Sequence, residues 1–227
     1  MNLSHLNLGQ AFKDMFLAPA CCLCGRITTD SLCDKCRRQI EVIGTGICER
    51  CGKPGSRSGC SFCSRQSLYY WRCRSFAFYR AGIKTIIYRY KQLRLYQLSD
   101  LLASWLQDCY LKHYMGENIE VLDGAPGSHI HRICKHLESK LKIPYANNLM
   151  KIKENQEQKK LDSYSRKYNP AGSYKVINCL KYWGRNLLLI DDVFTTGSTL
   201  NHIAWLAKQA GAEKVYLLTV ARGEQHI

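Results

Sequence analysis

The sequence predicts an α/β protein in which a small cysteine-rich module precedes a domain built on a parallel sheet. Four C-x-x-C pairs fall within the first 63 residues. Near the other end, two apolar runs, "LLLI" and "VYLLTV", flank a helical pattern. Apolar runs without alternation are typical of strands covered on both faces of a parallel sheet. We therefore expect a zinc-binding module over residues 1–66 and an α/β domain over residues 67–227.

The composition of the chain is strongly basic. Its 227 residues include 33 Lys+Arg against 18 Asp+Glu, which favours anionic partners such as nucleic acid, nucleotides, phosphosugars or acidic membrane surfaces without choosing among them. No apolar run is long enough to cross a bilayer. The opening "MNLSHLNLGQAFKDMF" has neither the basic leader nor the apolar core of a secretory signal. A cytoplasmic protein without integral membrane association is the resulting expectation.

The cysteine-rich module contains an internal repeat. "CCLCGRITTDSLCDKC" (21–36) and "CERCGKPGSRSGCSFC" (48–63) each open with C-x-x-C-G and close with a second C-x-x-C after the same interval. In a chain without a secretory context this spacing indicates tetrahedral zinc sites and not disulfides. The candidate ligands are Cys21, Cys24, Cys33, Cys36, Cys48, Cys51, Cys60 and Cys63.

The spacing leaves the pairing of these cysteines open. Either each half of the repeat forms its own site, or Cys21 and Cys24 join Cys48 and Cys51 in a crossed arrangement, and a module with one occupied site also fits. Closed four-thiolate sites are structural. Because so small a module buries little apolar surface, we interpret its zinc as a folding element.

A basic and aromatic segment follows, "LYYWRCRSFAFYRAGIKTIIYRYKQLRLY", and no acidic residue occurs between Arg50 and Ser99. Such a segment suits a single-stranded nucleic acid, whose phosphates meet the cations while its bases stack on the rings. Within the segment, the alternation in "RSFAFYR" is equally typical of a strand that packs on one face of a sheet. The next stretch, "YQLSDLLASWLQDCY", has the apolar spacing of a core helix. We take the charge as a sign of an anionic partner and many of the rings as core.

The stretch "LLLIDDVFTTGSTL" (187–200) ends a predicted strand in two carboxylates and a small polar turn. Successive N–H groups of such a turn, at a helix N-terminus, form a cradle for an anion. Two carboxylates would repel a lone phosphate, so a ligand that also presents hydroxyl groups is favoured, as ribose 5-phosphate does. No P-loop motif and no dinucleotide-binding glycine pattern is present.

This stretch closely resembles the phosphoribosyl pyrophosphate (PRPP) loop of type I phosphoribosyltransferases. Together with the C-x-x-C module it resembles the ComF family (ComFC/GntX-like) over most of the chain. The family's glutamine-leucine-arginine-asparagine spacing is matched at Gln158, Leu161, Arg166 and Asn169, and "GAEKVYLLTVAR" matches its closing strand. The resemblance implies a type I phosphoribosyltransferase fold with a Rossmann-like parallel sheet.

The resemblance also implies the parts of a PRPP site that uses Mg²⁺. Asp191 and Asp192 would be the catalytic pair that holds the ribose hydroxyls. The 5-phosphate would lie on Thr195, Thr196, Gly197, Ser198 and Thr199. Pyrophosphate would meet a short loop containing Gly127 and Ser128 and a hood loop at about 151–175 containing Lys159, Lys160 and Arg166. The alternative interpretation of this polar hood segment is an ordinary surface loop.

One region departs from the family pattern. Members usually carry a proline-valine-proline stretch, then arginines and an arginine-glycine-phenylalanine-asparagine-glutamine run, where this chain has only "EVLDGAPGSHIHRICKHLESKL". A helix carrying Ile130, Ile133, Leu137 and Leu141 is expected there. For His129 and His131 at its start we expect a solvated or capping role, with contact to an anion as the alternative.

In function, the resemblance implies natural competence and the uptake of single-stranded DNA. Its implied partners are PRPP, single-stranded DNA, a competence helicase and other DNA-processing proteins, at the inner face of the cytoplasmic membrane through those partners. As an enzyme, the protein would be a phosphoribosyltransferase (a glycosyltransferase) that displaces pyrophosphate, with an unidentified acceptor. The alternative is a non-catalytic, zinc-containing nucleic-acid-binding adaptor that only senses PRPP. A glutamine-dependent amidophosphoribosyltransferase is not expected, because the chain begins "MNLSHL" without a cysteine nucleophile or glutaminase domain.

Overall fold

Four parallel strands form the main sheet of the protein. The computed structural model describes residues 20–55, 60–152 and 174–223. The strands of these ranges, in chain order, are β1 (Arg72–Phe78), β2 (Val121–Gly124), β3 (Leu149–Lys151), β4 (Tyr174–Val176), β5 (Leu187–Phe194) and β6 (Val215–Arg222). The sheet order is β1-β6-β5-β2, with every neighbouring pair parallel. The predicted α/β class with a parallel sheet is therefore confirmed.

Helices connect the strands. They are α1 (Asp34–Arg37), α2 (Ser61–Ser64), α3 (Ala81–Lys91), α4 (Ser99–His113), α5 (Ser128–Leu141) and α6 (Ser198–Gln209). Short 3₁₀ turns occupy Tyr96–Leu98 and Cys179–Lys181. The apolar face of α6 is buried at Leu200, Ile203, Ala204 and Ala207. On α5, Ile130, Ile133 and Leu137 are buried as expected from the sequence, and Leu141 is partly buried.

Two apolar cores lie on opposite faces of the sheet. On β5, Leu188 and Ile190 contribute to the core under α3, α4 and α5, whereas Leu187 and Leu189 contribute to the core under α6. Because both faces are covered, every residue of this strand segment is apolar, which explains the run without alternation. In the first core the ring of Phe76 stacks on Trp105 at 5.1 Å between centroids, as expected for a ring that serves the core.

Both outer strands of the sheet are hydrogen bonded to chain segments beside them. Along β1, the Ile43 N–H donates to Phe76 (2.9 Å), the Phe78 N–H donates to Glu41 (3.0 Å), and the Cys73 N–H donates to Arg50 (2.7 Å). Along β2, Leu122 exchanges hydrogen bonds with the segment 144–146 (3.0 and 2.9 Å). The cysteine-rich module is thus joined to the sheet through main-chain hydrogen bonds.

Several arginines of the basic segment form ion pairs or hydrogen bonds with other parts of the protein. Arg72 pairs with Glu117 at 2.8 Å, Arg80 pairs with Glu41 at 2.8 Å, and Arg89 donates to the carbonyl of Cys22. Tyr69, Trp71 and Tyr88 remain exposed. Some of the positively charged side chains of this segment therefore hold elements of the fold together. None of the helices that the structure describes has the length and apolar character needed to span a membrane.

Strands β3 and β4 form a two-stranded antiparallel arm beside the sheet. Asn148, just before β3, joins the two ends of the arm. Its side-chain amide donates to the Asn178 carbonyl (2.8 Å) and accepts from the Asn178 N–H (2.9 Å). Buried Asp123 on β2 accepts from the Asn148 N–H (2.8 Å) and the Tyr182 hydroxyl (2.6 Å). Lys159, Lys160 and Arg166 of the predicted hood loop, like Gln158, Leu161 and Asn169, lie outside the described residues.

Candidate functional site

The eight predicted zinc ligands form two clusters. Cys21, Cys24, Cys33 and Cys36 make one, and Cys48, Cys51, Cys60 and Cys63 make the other, with the sulfurs of each cluster within 4.8 Å of one another. The pairing is therefore sequential and not crossed. The Cys51 and Cys60 sulfurs are 3.5 Å apart, and those of Cys48 and Cys63 are 3.7 Å apart. These separations fit a tetrahedral zinc, whose bonds of about 2.3 Å place ligand sulfurs about 3.8 Å apart.

The repeat in the sequence is also a repeat in the structure. The Cys21 N–H donates to Arg26 and the Cys48 N–H donates to Lys53, both at 2.8 Å, while Gly25 and Gly52 close the two turns at 2.9 Å. Both glycines have φ of +72°, a conformation that glycine adopts without strain. Each half thus presents its first two thiols from the same turn, as the zinc interpretation requires.

The two carboxylates lie at the carboxyl end of β5. The Asp191 carboxylate accepts from the Asp192 N–H at 2.8 Å. Asp192 is buried, and its Oδ2 contacts Lys91 Nζ of α3 at 3.0 Å and His129 Nε2 of α5 at 3.4 Å. Because α3, α5 and β5 meet here, the sheet edge brings a carboxylate pair together with two nitrogen donors.

The surroundings of the two aspartates separate their pKa values. Burial, followed by the charge of Asp192, raises the pKa of Asp191 to about 7. Burial also acts to raise the pKa of Asp192, but the His129 hydrogen bond and the charge of Lys91 outweigh it, so that pKa lies below its ordinary value. Near neutral pH, Asp192 is therefore ionised, while Asp191 is poised to gain or lose a proton.

The turn after β5 leads directly into α6. Gly197 is the N-cap residue with φ of +75° and offers no capping side chain itself, while the Thr196 hydroxyl accepts from the Ser198 N–H at 3.3 Å. A Cβ at this position would lie 2.3 Å from Cζ of Phe194, so the turn rests directly on that ring. The hydroxyls of Thr196 and Ser198 are 2.9 Å apart. The first-turn N–H groups and these hydroxyls together can surround a phosphate.

A second helix begins at the same edge of the sheet. Helix α5 starts after the short loop that contains Pro126 and Gly127, and its N-cap residue, Gly127, is also a glycine. A cavity of about 280 Å³ opens here, lined in part by Ser128, His131 and Lys151. Another cavity, of about 350 Å³, is lined in part by Lys91 and Asp192.

The structure brings most of the predicted site residues to one edge. Asp191 and Asp192 lie in the last part of β5, the turn 195–199 follows that strand, and Gly127 and Ser128 follow the neighbouring strand β2. The expectation for His129 was incomplete, because its ring contacts Asp192 instead of serving only the helix start. In the sequence, Lys91 is one cation among many in the basic segment. The lysine in "YRYK" and a histidine directly after the "GAPGS" loop were the available signals.

Fold and clusters together define an α/β protein whose parallel sheet is joined to an N-terminal double zinc ribbon. Residues 12–67 match the family model described as a double zinc ribbon domain. The expected resemblance to the ComF family is confirmed. The chain is 25% identical over 214 residues to Competence protein F of Haemophilus influenzae, a match covering 86% of this chain and 92% of that protein.

A second relative is Competence protein ComFC of Streptococcus pneumoniae, 25% identical over 195 residues, with 84% of this chain and 87% of the relative covered. Among solved structures, the allosteric regulatory enzyme of purine biosynthesis matches at 19% identity and a TM-score of 0.44, over 55% of this chain and 25% of that chain. A hypoxanthine phosphoribosyltransferase of Staphylococcus aureus matches at 17% identity and a TM-score of 0.35, over 58% and 69% of the two chains.

Proposed function

We propose that the protein binds PRPP with Mg²⁺ at the carboxyl edge of its sheet and acts in natural competence. The observation that carries this proposal is the convergence of a carboxylate pair and two helix N-termini whose N-cap residues are glycines. Helix N-termini attract phosphates, while carboxylates accept hydrogen bonds from hydroxyl groups. A sugar that carries a phosphate at each end presents these groups in the required order.

Each part of the edge has a distinct role in this proposal. The turn 195–199 binds the 5-phosphate, Asp191 and Asp192 accept hydrogen bonds from the ribose hydroxyls, and Gly127 and Ser128 face the diphosphate. Lys159, Lys160 and Arg166 belong to the same proposal as hood-loop cations. Mg²⁺ would supply charge neutralisation of the diphosphate through oxygen ligands, most of them from the substrate and water.

As an enzyme, the protein would transfer the phosphoribosyl group. The bond between the anomeric carbon and the diphosphate oxygen breaks, and an acceptor forms the new bond to that carbon. The described residues offer positioning and charge complementarity for such a step and no covalent intermediate. Asp191, whose pKa is about 7, is suited to take the proton that the acceptor loses.

The competence role is supported by the two relatives, both of which are competence proteins. Single-stranded DNA is the proposed macromolecular partner, with a competence helicase and other DNA-processing proteins as further partners, in the cytoplasm at the inner face of its membrane. Exposed Tyr69, Trp71 and Tyr88 beside basic residues support contact with a single strand.

The second candidate is an adaptor that senses PRPP without turnover. The 280 Å³ cavity beside β2 favours it, because among the described residues Lys151 is the one lysine in its lining and no arginine lies there. A diphosphate leaving group that is poorly neutralised would be bound but released slowly from the sugar. Consumption of PRPP with an acceptor supports the enzyme, whereas binding without consumption supports the adaptor.

Calorimetric titration with PRPP and Mg²⁺ tests the shared site. Wild type is expected to bind, and the Asp191→Asn/Asp192→Asn double variant to lose binding. Asp30→Asn, an exposed carboxylate of the zinc module, is the matched control and should bind as wild type does. Failure of folded, zinc-loaded wild type to bind would overturn the proposal. A separate titration with single-stranded DNA at increasing salt tests the nucleic-acid partner, since phosphate contacts weaken as salt rises.

The pKa of Asp191 predicts how binding depends on pH. Because that pKa is about 7, the carboxylate is ionised above it and protonated below it. A protonated acid is the poorer acceptor for a ribose hydroxyl, so affinity for ribose 5-phosphate is expected to fall about tenfold between about pH 8 and about pH 6. Asp191→Asn controls for titration of the phosphate itself and should show a smaller fall. Parallel pH profiles for the two proteins would contradict the assignment.

A further inference from the structure

The second cysteine cluster lies directly against the sheet. Cys48, Cys51 and Cys60 are buried, and the Cys73 N–H of β1 donates to the Arg50 carbonyl between the first two ligands, at 2.7 Å. A Cβ at Gly52 would lie 2.6 Å from the Cys73 carbonyl oxygen. The turn that carries Cys48 and Cys51 therefore has no room to move relative to β1.

Two buried arginines of the sheet contact this cluster. Arg74 donates to the Cys48 carbonyl at 3.3 Å, and Arg222, at the end of β6, donates to the Cys51 carbonyl at 2.6 Å. Their exposed fractions are 4% and 3%. Within the described residues, Arg222 makes no ion pair, and the carboxylate beside Arg74, Glu49, is 79% exposed. Surface carboxylates compensate a buried cation weakly.

A zinc ion on the second cluster accounts for these buried cations. A zinc ion with four thiolates carries about two excess negative charges, which two guanidinium groups balance. Nε of Arg74 and Nη2 of Arg222 are buried without hydrogen-bond partners in the described parts of the chain. Buried donors of this kind are costly unless an anion lies close by. The residues present therefore fit a loaded zinc site with its charge compensated by the sheet.

Arg222 also contacts Phe194, the residue on which the turn 195–199 (the phosphate turn) rests. Its guanidinium carbon lies 4.6 Å from the centroid of the Phe194 ring and 5.9 Å from that of Phe62, which stands between Cys60 and Cys63. Phe194 is fully buried, and Gly197 rests on its ring. A continuous set of contacts thus runs from the Cys51 carbonyl through Arg222 and Phe194 to Gly197.

We infer that Arg222 is a positioning residue that couples the second zinc site to the phosphate turn. With zinc bound, Arg222 is held against Phe194, and Phe194 holds the turn for its anion. When this cluster is empty, Arg222 loses its counter-charge, Phe194 loses its support, and the affinity for phosphate falls. The turn that carries Cys21 and Cys24 of the first cluster contacts α3 instead, through a hydrogen bond from Arg89 to the Cys22 carbonyl. The effect on phosphate affinity rests on the proposed function, but the coupling to the turn does not.

The test compares Arg222→Lys with Arg74→Lys in the full-length, zinc-loaded protein. Both variants keep a buried positive charge and lose the planar guanidinium, but only Arg222 contacts the Phe194 ring. The measurements are amide hydrogen exchange over residues 194–200, the rate of zinc loss to a chelator, and affinity for ribose 5-phosphate. For Arg222→Lys we expect at least tenfold faster exchange in the turn and about tenfold weaker binding. Arg74→Lys should release zinc faster and leave exchange in the turn unchanged.

Equal exchange of the turn in Arg222→Lys and wild type would overturn the inference. If Arg222→Lys does not fold, Cys63→Ser replaces it, since it weakens the second zinc site and leaves Arg222 and Phe194 in place, with Cys24→Ser in the first cluster as its control. Faster exchange of the turn in Cys63→Ser than in Cys24→Ser then supports the coupling, and equal exchange contradicts it. If wild type does not bind ribose 5-phosphate, the proposed function fails, while the exchange measurements still decide the coupling.

Discussion

The substitution Cys51→Ser is expected to release one zinc ion and to unfold the N-terminal module. Cys51 has an exposed fraction of 0% and is one of four ligands in a closed cluster. Structural zinc contributes about 10–16 kcal/mol of apparent binding free energy in small domains. Losing one thiolate is therefore expected to lower the free energy of unfolding by about 4 kcal/mol or more. Metal analysis and thermal unfolding of the purified protein measure both effects.

The matched control for this substitution is Cys109→Ser. Cys109 is a buried cysteine of α4 that lies in the apolar core and outside both clusters. Its replacement should retain both zinc ions and cost about 1–2 kcal/mol, the price of burying a hydroxyl. If Cys51→Ser kept two zinc ions and unfolded at the temperature of Cys109→Ser, the four-thiolate site would be ruled out.

The substitution Gly197→Ala is expected to weaken ribose 5-phosphate binding about a hundredfold, or roughly 2.7 kcal/mol. Its φ of +75° disfavours any residue with a Cβ, and that Cβ would lie 2.3 Å from the Phe194 ring. The ring cannot withdraw, because it packs edge-on against Phe62 and Tyr70 at 6.3 Å. The turn must therefore shift, and its N–H groups no longer point at one phosphate. Calorimetry with ribose 5-phosphate measures the loss.

Gly184→Ala separates strain of the backbone from the clash. Gly184 has φ of +67°, but a Cβ there would meet nothing within 4 Å. Both substitutions are expected to cost about 1–2 kcal/mol of stability from the left-handed conformation. Only Gly197→Ala should change affinity for the sugar phosphate. Wild-type affinity in Gly197→Ala would show that phosphate does not bind on this turn.

Much of the sheet domain was predictable because its signals are local. The run from Leu187 to Ile190, the small turn after it and the apolar spacing of α6 lie within one continuous stretch, and each follows from periodicity. The pairing of the cysteines was not predictable, since the spacing permits sequential and crossed sites equally. It became clear only from the sulfur positions.

The nitrogen donors of the site could not be found from local patterns. Lys91 and Asp192 are 101 positions apart in the chain, and only the packing of α3 across the sheet brings them together. The same limit applies to the arginines of the basic segment. The composition gives the number of these charges. It does not reveal that Arg89 donates a hydrogen bond to a main-chain carbonyl or that Arg72 forms an ion pair with Glu117.

The hydrogen bonds along the outer strands have a consequence for solubility. Unpaired sheet edges are templates for pairing with another chain, and proteins avoid aggregation by covering them. Here the zinc module occupies donors and acceptors of β1, and the segment 144–146 does so for β2. A protein stripped of zinc would therefore offer the side of β1 to its own copies, and it should form aggregates rich in intermolecular β-structure. Bound zinc would then prevent self-association of the sheet as well as keep the module folded.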